Sequence, residues 1–142
     1  MNIKKTDSKQ DYAFCIYIRT CVFEVNQAIS PLDDFTTAEE NAINYIGFDN
    51  DMPVATARYQ IVDGNIAKVE RMAVLKECQG KGCGTQIIKF LIQDVQKNPK
   101  IKTIKLGAQK HAIPFYEKLG FTVFGDEYMD VGIPHHDMIM KV

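Results

Sequence analysis

Glycines alternate with other residues in one short segment of the chain, Gln79-Gly80-Lys81-Gly82-Cys83-Gly84-Thr85. An apolar strand pattern precedes this segment, and a helical pattern begins inside it. The start of a helix presents unpaired backbone N–H groups and about half a positive charge, which suits a phosphate. Glycine lets an anion approach the backbone closely and permits a positive φ where a turn needs one. The segment therefore predicts an anion-binding turn.

Two common phosphate motifs do not fit this turn. A P-loop requires G-x-x-x-x-G-K-[ST], but Gly80-Lys81 is followed by Gly82, so the hydroxyl that binds magnesium is missing. A dinucleotide fingerprint requires G-x-G-x-x-G, but the third glycine stands at position 84, one residue early. Neither motif explains the turn.

The elements around the turn alternate between strands and helices. Ser8 can cap a first helix that runs to about Thr20, after a short edge strand at 3–5. Asp63-Gly64-Asn65 predicts a hairpin turn between the strands at 54–61 and 66–74. The remaining pattern predicts a loop at 27–40, strands at 42–48, 101–106, 121–124 and 138–142, and helices at 82–97 and 111–119.

One helix joins the strands at 66–74 and 101–106, so these two strands should be parallel with a right-handed crossover. The hairpins elsewhere should be antiparallel. The sequence therefore predicts one α+β domain over residues 1–142, with a mixed, mostly antiparallel sheet flanked by helices and one parallel strand–helix–strand unit.

Composition excludes several classes of function. A net charge of −1 without a basic stripe argues against nucleic-acid binding. No stretch approaches the about 18 apolar residues that span a bilayer, and the start lacks a signal-peptide cleavage pattern, so a cytoplasmic protein without a membrane partner is expected. The four cysteines form no C-x-x-C pair and the three histidines lack zinc-site spacing, which predicts free thiols and no metal.

Two motifs resemble the GCN5-related N-acetyltransferase (GNAT) superfamily. The first joins the strand Val69-Glu70-Arg71-Met72-Ala73-Val74, after four residues, to the glycine-rich turn at 79–84. The second, Ala112-Ile113-Pro114-Phe115-Tyr116-Glu117-Lys118-Leu119-Gly120-Phe121, is similar to the A-x-x-F-Y-x-x-x-G-F signature of the family's later helix. Segments 18–27, 108–111 and 132–135 further resemble the bacterial ElaA/YjcF-like branch, although Asn26 replaces a glutamate of that branch.

The resemblance implies an acyl-CoA N-acyltransferase fold and direct transfer of an acetyl group from acetyl-CoA to a primary amine of a small molecule or peptide. The two substrates would meet in a ternary complex. The resemblance also allows a homodimer, because relatives often dimerise. The cofactor-binding residues that it implies are Met72, Ala73 and Val74 for the pantetheine arm, Gln79, Gly80, Lys81, Gly82, Cys83, Gly84 and Thr85 for the pyrophosphate, Gln109 for a further pantetheine contact, and Phe115 and Tyr116 near the thioester.

Acetyl transfer to an amine needs a base and an acid. A lysine-type amine has a pKa near 10.4, about 3.4 units above neutral pH, so deprotonating it costs roughly 4–5 kcal/mol. The candidate bases are Glu70, on the strand at 66–74 beside the turn, and His135, in a loop after Gly132-Ile133-Pro134. Tyr116 is the candidate acid for the departing thiolate. Each has an alternative interpretation. Glu70 could be an ion-paired or surface carboxylate, His135 an exposed or hydrogen-bonded loop histidine, and Tyr116 a core tyrosine.

Two further classes of function remain open from the sequence. The chain could be a noncatalytic acyl-CoA-binding module, or a protein-interaction domain that keeps a vestigial turn. The acceptor is not specified either. Acidic residues in the segments 27–40 and 126–137 would attract a cationic amine or form a solvated rim; they are Asp33, Asp34, Asp126, Glu127 and Asp130.

Overall fold

The computed structural model describes residues 1–142 apart from the side chain of Thr37. Seven strands form one sheet, and their bounds are β1 Asn2–Lys5, β2 Ile43–Asp49, β3 Met52–Val62, β4 Ile66–Val74, β5 Thr103–Gln109, β6 Thr122–Asp130 and β7 Ile133–Lys141. The helices are α1 Lys9–Arg19, α2 Pro31–Asp34, α3 Cys83–Gln96 and α4 Ile113–Lys118. A π-helical segment, Thr20–Asn26, prolongs α1, and single 3₁₀ turns occupy Thr37–Glu40, Lys76–Cys78 and Lys110–Ala112.

The strand order across the sheet is β1-β2-β3-β4-β5-β7-β6. Neighbouring strands are antiparallel except for β4 and β5, which are parallel and are joined through α3. The predicted fold class, a mixed and mostly antiparallel sheet with one parallel unit, is confirmed. Each of the helices described is too short or too polar to cross a membrane.

The last two strands are longer than the sequence indicates. The predicted strands at 121–124 and 138–142 are found as β6 and β7, nine residues each. All residues of β6 are exposed, and its sequence lacks the alternation of apolar and polar residues that marks a half-buried strand. The sequence therefore predicts only part of this strand. A bulge between Phe124 and Tyr128 further disturbs the period.

Two hydrophobic cores cover the two faces of the sheet. On one face Ile87, Leu91 and Val95 of α3 pack on buried strand residues such as Val69 and Leu106. On the other face, α1 and the start of its π-helical extension pack on strands β2 and β4; the buried residues are Cys15, Ile18, Val22, Ile46, Ala73 and Leu75. We call these surfaces the α3 face and the α1 face.

The parallel strands β4 and β5 separate part-way along their length. They pair over four registers, from Ile66 with Thr103 to Val69 with Leu106, and then diverge. Beyond the divergence β4 contains a bulge, because β3 contributes only Ala57 between the pairs Thr56–Ala73 and Arg58–Glu70. Arg71 in this bulge has a positive φ of 53°. The divergence opens the sheet to both faces.

Candidate active site

A cavity of about 1110 Å³ fills the opening between β4 and β5. Its walls include the glycine-rich turn and α4 on the α3 face. On the α1 face they include the segment before α2, α2 itself and the β6–β7 hairpin. Single-ligand pockets usually measure about 300–1,000 Å³, so this cavity has room for two substrates that approach from opposite faces.

The glycine-rich turn forms the start of α3. Gly80 and Gly82 have φ of 76° and 84°, a region that residues with a side chain rarely adopt. A Cβ at Gly80 would have no atom within 4 Å, so this part of the turn borders open space. Gln79 Nε2 donates to the Val74 carbonyl at 3.1 Å and anchors the turn to β4.

Among the described residues, no group accepts a hydrogen bond from the first backbone N–H groups of helix α3. Gly82 is its N-cap, and no side chain among the described residues caps it. The first helical hydrogen bond runs from Gln86 N to Gly82 O at 3.0 Å. The backbone N–H groups before Gln86 are therefore free to bind an anion. This geometry fits the predicted pyrophosphate site.

Gly84 has a different role from the other glycines of the turn. A Cβ at this position would stand 2.9 Å from Met72 Cε and 3.4 Å from Phe115 Cζ. Its absence lets α3 lie close to β4 and α4. The first turn of α3 is thereby held next to the diverging strand.

Tyr116 lies on the α3 face, in the core beside the cavity. It is 9% exposed, and its ring packs edge-on against Phe115 and Phe121. Burial raises the pKa of Tyr116 to about 12. The phenol therefore stays protonated at neutral pH and can donate a hydrogen bond or a proton.

Glu70 lies on the opposite side, the α1 face, because it alternates with the buried Val69 of the α3 face. Its Oε1 accepts a hydrogen bond from Gln60 Nε2 at 2.8 Å and lies 3.9 Å from Arg58 Nε. The bulge then turns Arg71 toward the same α1 face, where it contacts Asp34. The carboxylate of Glu70 lines the cavity, so it remains a candidate base.

His135 also lies on the α1 face and lines the cavity. The expectation that it stands in a loop is wrong, since it is the third residue of β7 and pairs with Gln109 of β5. Its Nδ1 is 2.7 Å from the Ile133 carbonyl oxygen. A carbonyl can only accept, so Nδ1 carries the proton and Nε2 of the neutral ring is left as an acceptor.

Gln109 lies on the α1 face rather than beside Tyr116. Its Nε2 donates to Gln27 Oε1 at 3.0 Å. Gln27 follows the π-helical segment, so this hydrogen bond joins β5 to the wall opposite it. Both side chains line the cavity.

A buried ion cluster forms the wall between α1, α2 and the bulge. Arg19 and Arg58 are each 1% exposed and share the carboxylate of Glu39. Arg19 also binds Asp34 at 3.0 Å, and Arg71 lies 3.3 Å from the same carboxylate. The cluster fixes the segment that contains α2 against the diverging strand.

Sequence reasoning missed most of this cluster and a second polar group on β6 and β7. Arg19, Asp34 and Arg58 are far apart in sequence, and no local spacing links them. Tyr128 donates to Asp137 Oδ1 at 2.7 Å, but the predicted strand at 121–124 ends before Tyr128. Of the five acidic residues expected near the acceptor, Asp33, Asp34 and Asp130 line the cavity. Asp126 and Glu127 do not line it, and Glu127 pairs with Lys110.

Among the described residues, neither a cysteine nor a metal-binding cluster lines this cavity. All four cysteines are described, all are free, and none lines its walls. Within the described part of the chain, no group of three or more His, Cys, Asp or Glu side chains is arranged to hold a metal ion.

Comparison with known proteins decides the family. A family profile described as an acetyltransferase (GNAT) domain matches residues 22–142. The chain belongs to the GNAT acetyltransferases. The match confirms the resemblance drawn from the two motifs, and it identifies this GNAT protein as an acyltransferase. Acetyl-CoA is the acyl donor of this family.

Relatives and structures agree with that assignment. The uncharacterized protein YyaT of Bacillus subtilis is 35% identical over 100% of this chain and 97% of its own length. The uncharacterized N-acetyltransferase YjcF of the same organism is 32% identical over 96% of both chains. The crystal structure of Escherichia coli ElaA superposes with a TM-score of 0.87 at 25% identity, over 97% of each chain.

Proposed function

We propose that this GNAT protein transfers an acetyl group from acetyl-CoA directly to a primary amine within a ternary complex. The opening between β4 and β5 carries the proposal, since it is lined on the α3 face by the anion-binding turn and Tyr116 and on the α1 face by Glu70 and His135. Two substrates that enter from opposite faces would meet there. An acyl-enzyme route has less support, because none of the four cysteines, all of them described, lines the cavity.

The donor side has groups for each part of acetyl-CoA. The free N–H groups at the start of α3 suit the pyrophosphate. The stretch of β4 that contains Met72 and Val74 pairs with β3 but not with β5, and its free edge suits the amides of the pantetheine arm. Bound acetyl-CoA would supply the thioester carbon that the amine attacks. A backbone N–H of the diverged part of β4 would stabilise the oxyanion that develops on that carbon.

Tyr116 would act on the departing sulfur. Its pKa of about 12 lies about 3.5 units above the ordinary pKa of a thiol, 8.5. Complete proton transfer from the phenol to a thiolate would thus be uphill by roughly 5 kcal/mol. Hydrogen-bond donation to the sulfur in the transition state is the role that this pKa supports, with the final proton coming from the medium or the amine.

Glu70 and His135 are the groups that would take the proton of the amine. Both lie on the α1 face, and each keeps an acceptor atom that no described residue occupies: Oε2 of Glu70 and Nε2 of His135. A base placed there offsets the roughly 4–5 kcal/mol needed to deprotonate the amine at neutral pH.

The test measures acetyl-CoA binding by calorimetry and release of free CoA thiol with a panel of primary amines. The proposal expects binding and amine-dependent thiol release, without burst kinetics in the absence of acceptor. Binding without turnover across the panel would favour the noncatalytic acyl-CoA-binding module. Absence of acetyl-CoA binding would overturn the assignment of the turn. A burst without acceptor would replace direct transfer by an acyl-enzyme route.

A further inference from the structure

Tyr128 reaches from the edge strand β6 to the point where the sheet opens. Its ring stacks on that of His135 with centroids 5.8 Å apart and planes at 24°. Its hydroxyl donates to Asp137 Oδ1 at 2.7 Å. A Cβ on Gly107 would stand 2.5 Å from this hydroxyl oxygen, so the hydroxyl occupies the space that Gly107 leaves empty.

Gly107 marks the apex of the opening on β5. It follows Leu106, which forms the last pair between β5 and β4, with Val69. Glu70 follows Val69 and so occupies the corresponding position on β4. A group bound against Tyr128 above Gly107 would therefore lie next to Glu70, one of the two candidate bases.

The charges around this apex are mixed. Lys68 and Lys105 face each other in register on β4 and β5, and both line the cavity. Lys105 Nζ lies 3.5 Å from Asp137 Oδ2. Arg71 adds a third cation to the same walls. Asp137 and Glu70 are the carboxylates at this apex, and Asp33, Asp34 and Asp130 line the same cavity. At the apex three cations outnumber two carboxylates, so a ligand with several positive charges would be repelled there, whereas one ammonium group needs only one carboxylate.

Apolar side chains also line the α1-face entrance, beside polar ones such as Gln27, Asp33 and Thr36. Phe23 and Ile29 line it from the segment before α2, and Val131 lines it from the β6–β7 turn. Tyr128 is 38% exposed, and an aromatic ring attracts an ammonium group to its π face. The entrance thus combines one site for a cation with walls for an apolar body.

We propose that Tyr128 and Asp137 form the acceptor-binding subsite, and that this subsite takes a primary amine with a single positive charge on an apolar or aromatic body. The proposal rests on the proposed acetyl transfer, and it names the class of acceptor. The ammonium group binds between the Asp137 carboxylate and the Tyr128 ring. From there it gives up its proton to a base at the apex before it attacks the thioester.

The first test is a double-mutant cycle on Tyr128→Phe and Gly107→Ala. Without the Tyr128 hydroxyl, the Asp137 carboxylate loses the hydrogen bond that fixes its position. Tyr128→Phe should therefore raise the KM for the amine about tenfold and leave the Kd for acetyl-CoA unchanged. Gly107→Ala should act similarly, because its Cβ displaces the hydroxyl. In the double variant the two changes should not add, since that Cβ lies 3.8 Å from Tyr128 Cζ, an ordinary contact.

Tyr17→Phe is the matched control, since Tyr17 is an exposed tyrosine of α1 outside the cavity. It should leave both constants at their wild-type values. An unchanged KM in Tyr128→Phe, or additive effects in the double variant, would overturn the assignment of the subsite.

The second test compares acceptors at equal concentration and low salt. Phenethylamine and hexylamine represent single charges on apolar bodies, while spermidine and kanamycin represent several charges. The proposal expects kcat/KM at least about tenfold higher for the first pair. A preference for spermidine or kanamycin would reject the acceptor class. If no amine releases thiol although acetyl-CoA binds, the proposed transfer itself has failed, which is a different outcome from turnover with the wrong preference.

Discussion

Arg71 and Asp34 meet in the wall of the cavity although 37 residues separate them in the chain. Arg71 Nε lies 3.3 Å from Asp34 Oδ1 and donates to the Asp34 carbonyl at 3.1 Å. Arg71 is also the residue of the β4 bulge that has a positive φ. One pair of residues thus joins the bulge of β4 to the segment that contains α2.

The stability of this wall should depend on Asp34. Asp34→Ala removes the carboxylate that pairs with Arg19, whose side chain is 1% exposed, and leaves a buried charge with fewer partners. We expect the free energy of unfolding to fall by about 3 kcal/mol in urea denaturation. Asp33→Ala is the control, because Asp33 is exposed and contacts Arg71 only through its backbone carbonyl. Equal losses in both variants would contradict a specific role for the buried pair.

Acid should destabilise the protein through Glu39. Burial alone would raise the pKa of Glu39, but hydrogen bonds from Arg19, Arg58 and Tyr12 lower it from 4.5 to about 2. A carboxyl group whose folded pKa is lowered stabilises the fold above its unfolded pKa and loses that contribution as pH falls toward its folded pKa. Stability should therefore decline between about pH 4.5 and pH 2. Glu39→Gln should flatten this part of the pH–stability curve, and an unchanged slope would exclude Glu39 as its source.

The turn at the start of α3 should bind acetyl-CoA more weakly when Gly82 is replaced by a residue with a side chain. Gly82→Val places a β-branched residue at a φ of 84° and adds atoms where an anion approaches the backbone. We expect the Kd for acetyl-CoA to rise at least tenfold, about 1.4 kcal/mol, in calorimetry.

Gly64→Val supplies the control for Gly82→Val. Gly64 has a φ of 79° in the β3–β4 turn, and a Cβ there would have no atom within 4 Å. Both variants carry a similar backbone strain, but only Gly82→Val should weaken acetyl-CoA binding. Weaker binding in both would indicate general destabilisation, and unaltered binding in Gly82→Val would remove the turn from the donor site.

Tyr116→Phe should slow transfer and leave acetyl-CoA binding intact. Since burial raises the pKa of Tyr116 to about 12, the phenol is protonated throughout the range from pH 6 to 10. The loss in kcat, about a hundredfold, should therefore be similar at every pH in that range. Tyr59→Phe is the control, because Tyr59 is 5% exposed in the same core but does not line the cavity. A wild-type kcat in Tyr116→Phe would assign this residue to packing alone.

The base can be identified by comparing Glu70→Gln with His135→Asn. The variant that lacks the base should lose about a hundredfold in kcat/KM at neutral pH. The deficit should shrink toward pH 10, where more of the amine is neutral without help. His136→Asn is the control, because its neighbour His135 faces the α1 side and the alternation of β7 turns His136 away. If neither Glu70→Gln nor His135→Asn has this profile, the proton passes to solvent.

The local structure of several segments could be predicted from the sequence. The alternating glycines between a strand and a helix predicted the turn at 79–85, because positive φ values and a free helix start are local properties of the backbone. Hairpin and cap signals such as Asp63-Gly64 and Ser8 predicted β3, β4 and α1 for the same reason. The order of the two motifs predicted the GNAT family, which the profile match confirmed.

Relations between distant residues were decided by the tertiary structure. The sequence named Glu70 and His135 as candidate bases, but only the register of β4, β5 and β7 sets both on the α1 face. The ion cluster around Asp34 and the position of Tyr128 above Gly107 depend on the bulges in β4 and β6. The β4 bulge inserts one residue and shifts the following side chains to the other face, whereas the β6 bulge inserts two and moves Tyr128 along the strand on the same face. The place of each bulge depends on long-range pairing rather than on neighbours in the chain. The sequence by itself therefore determined the glycine-rich turn and the family, while the sheet determined which side chains line the cavity together.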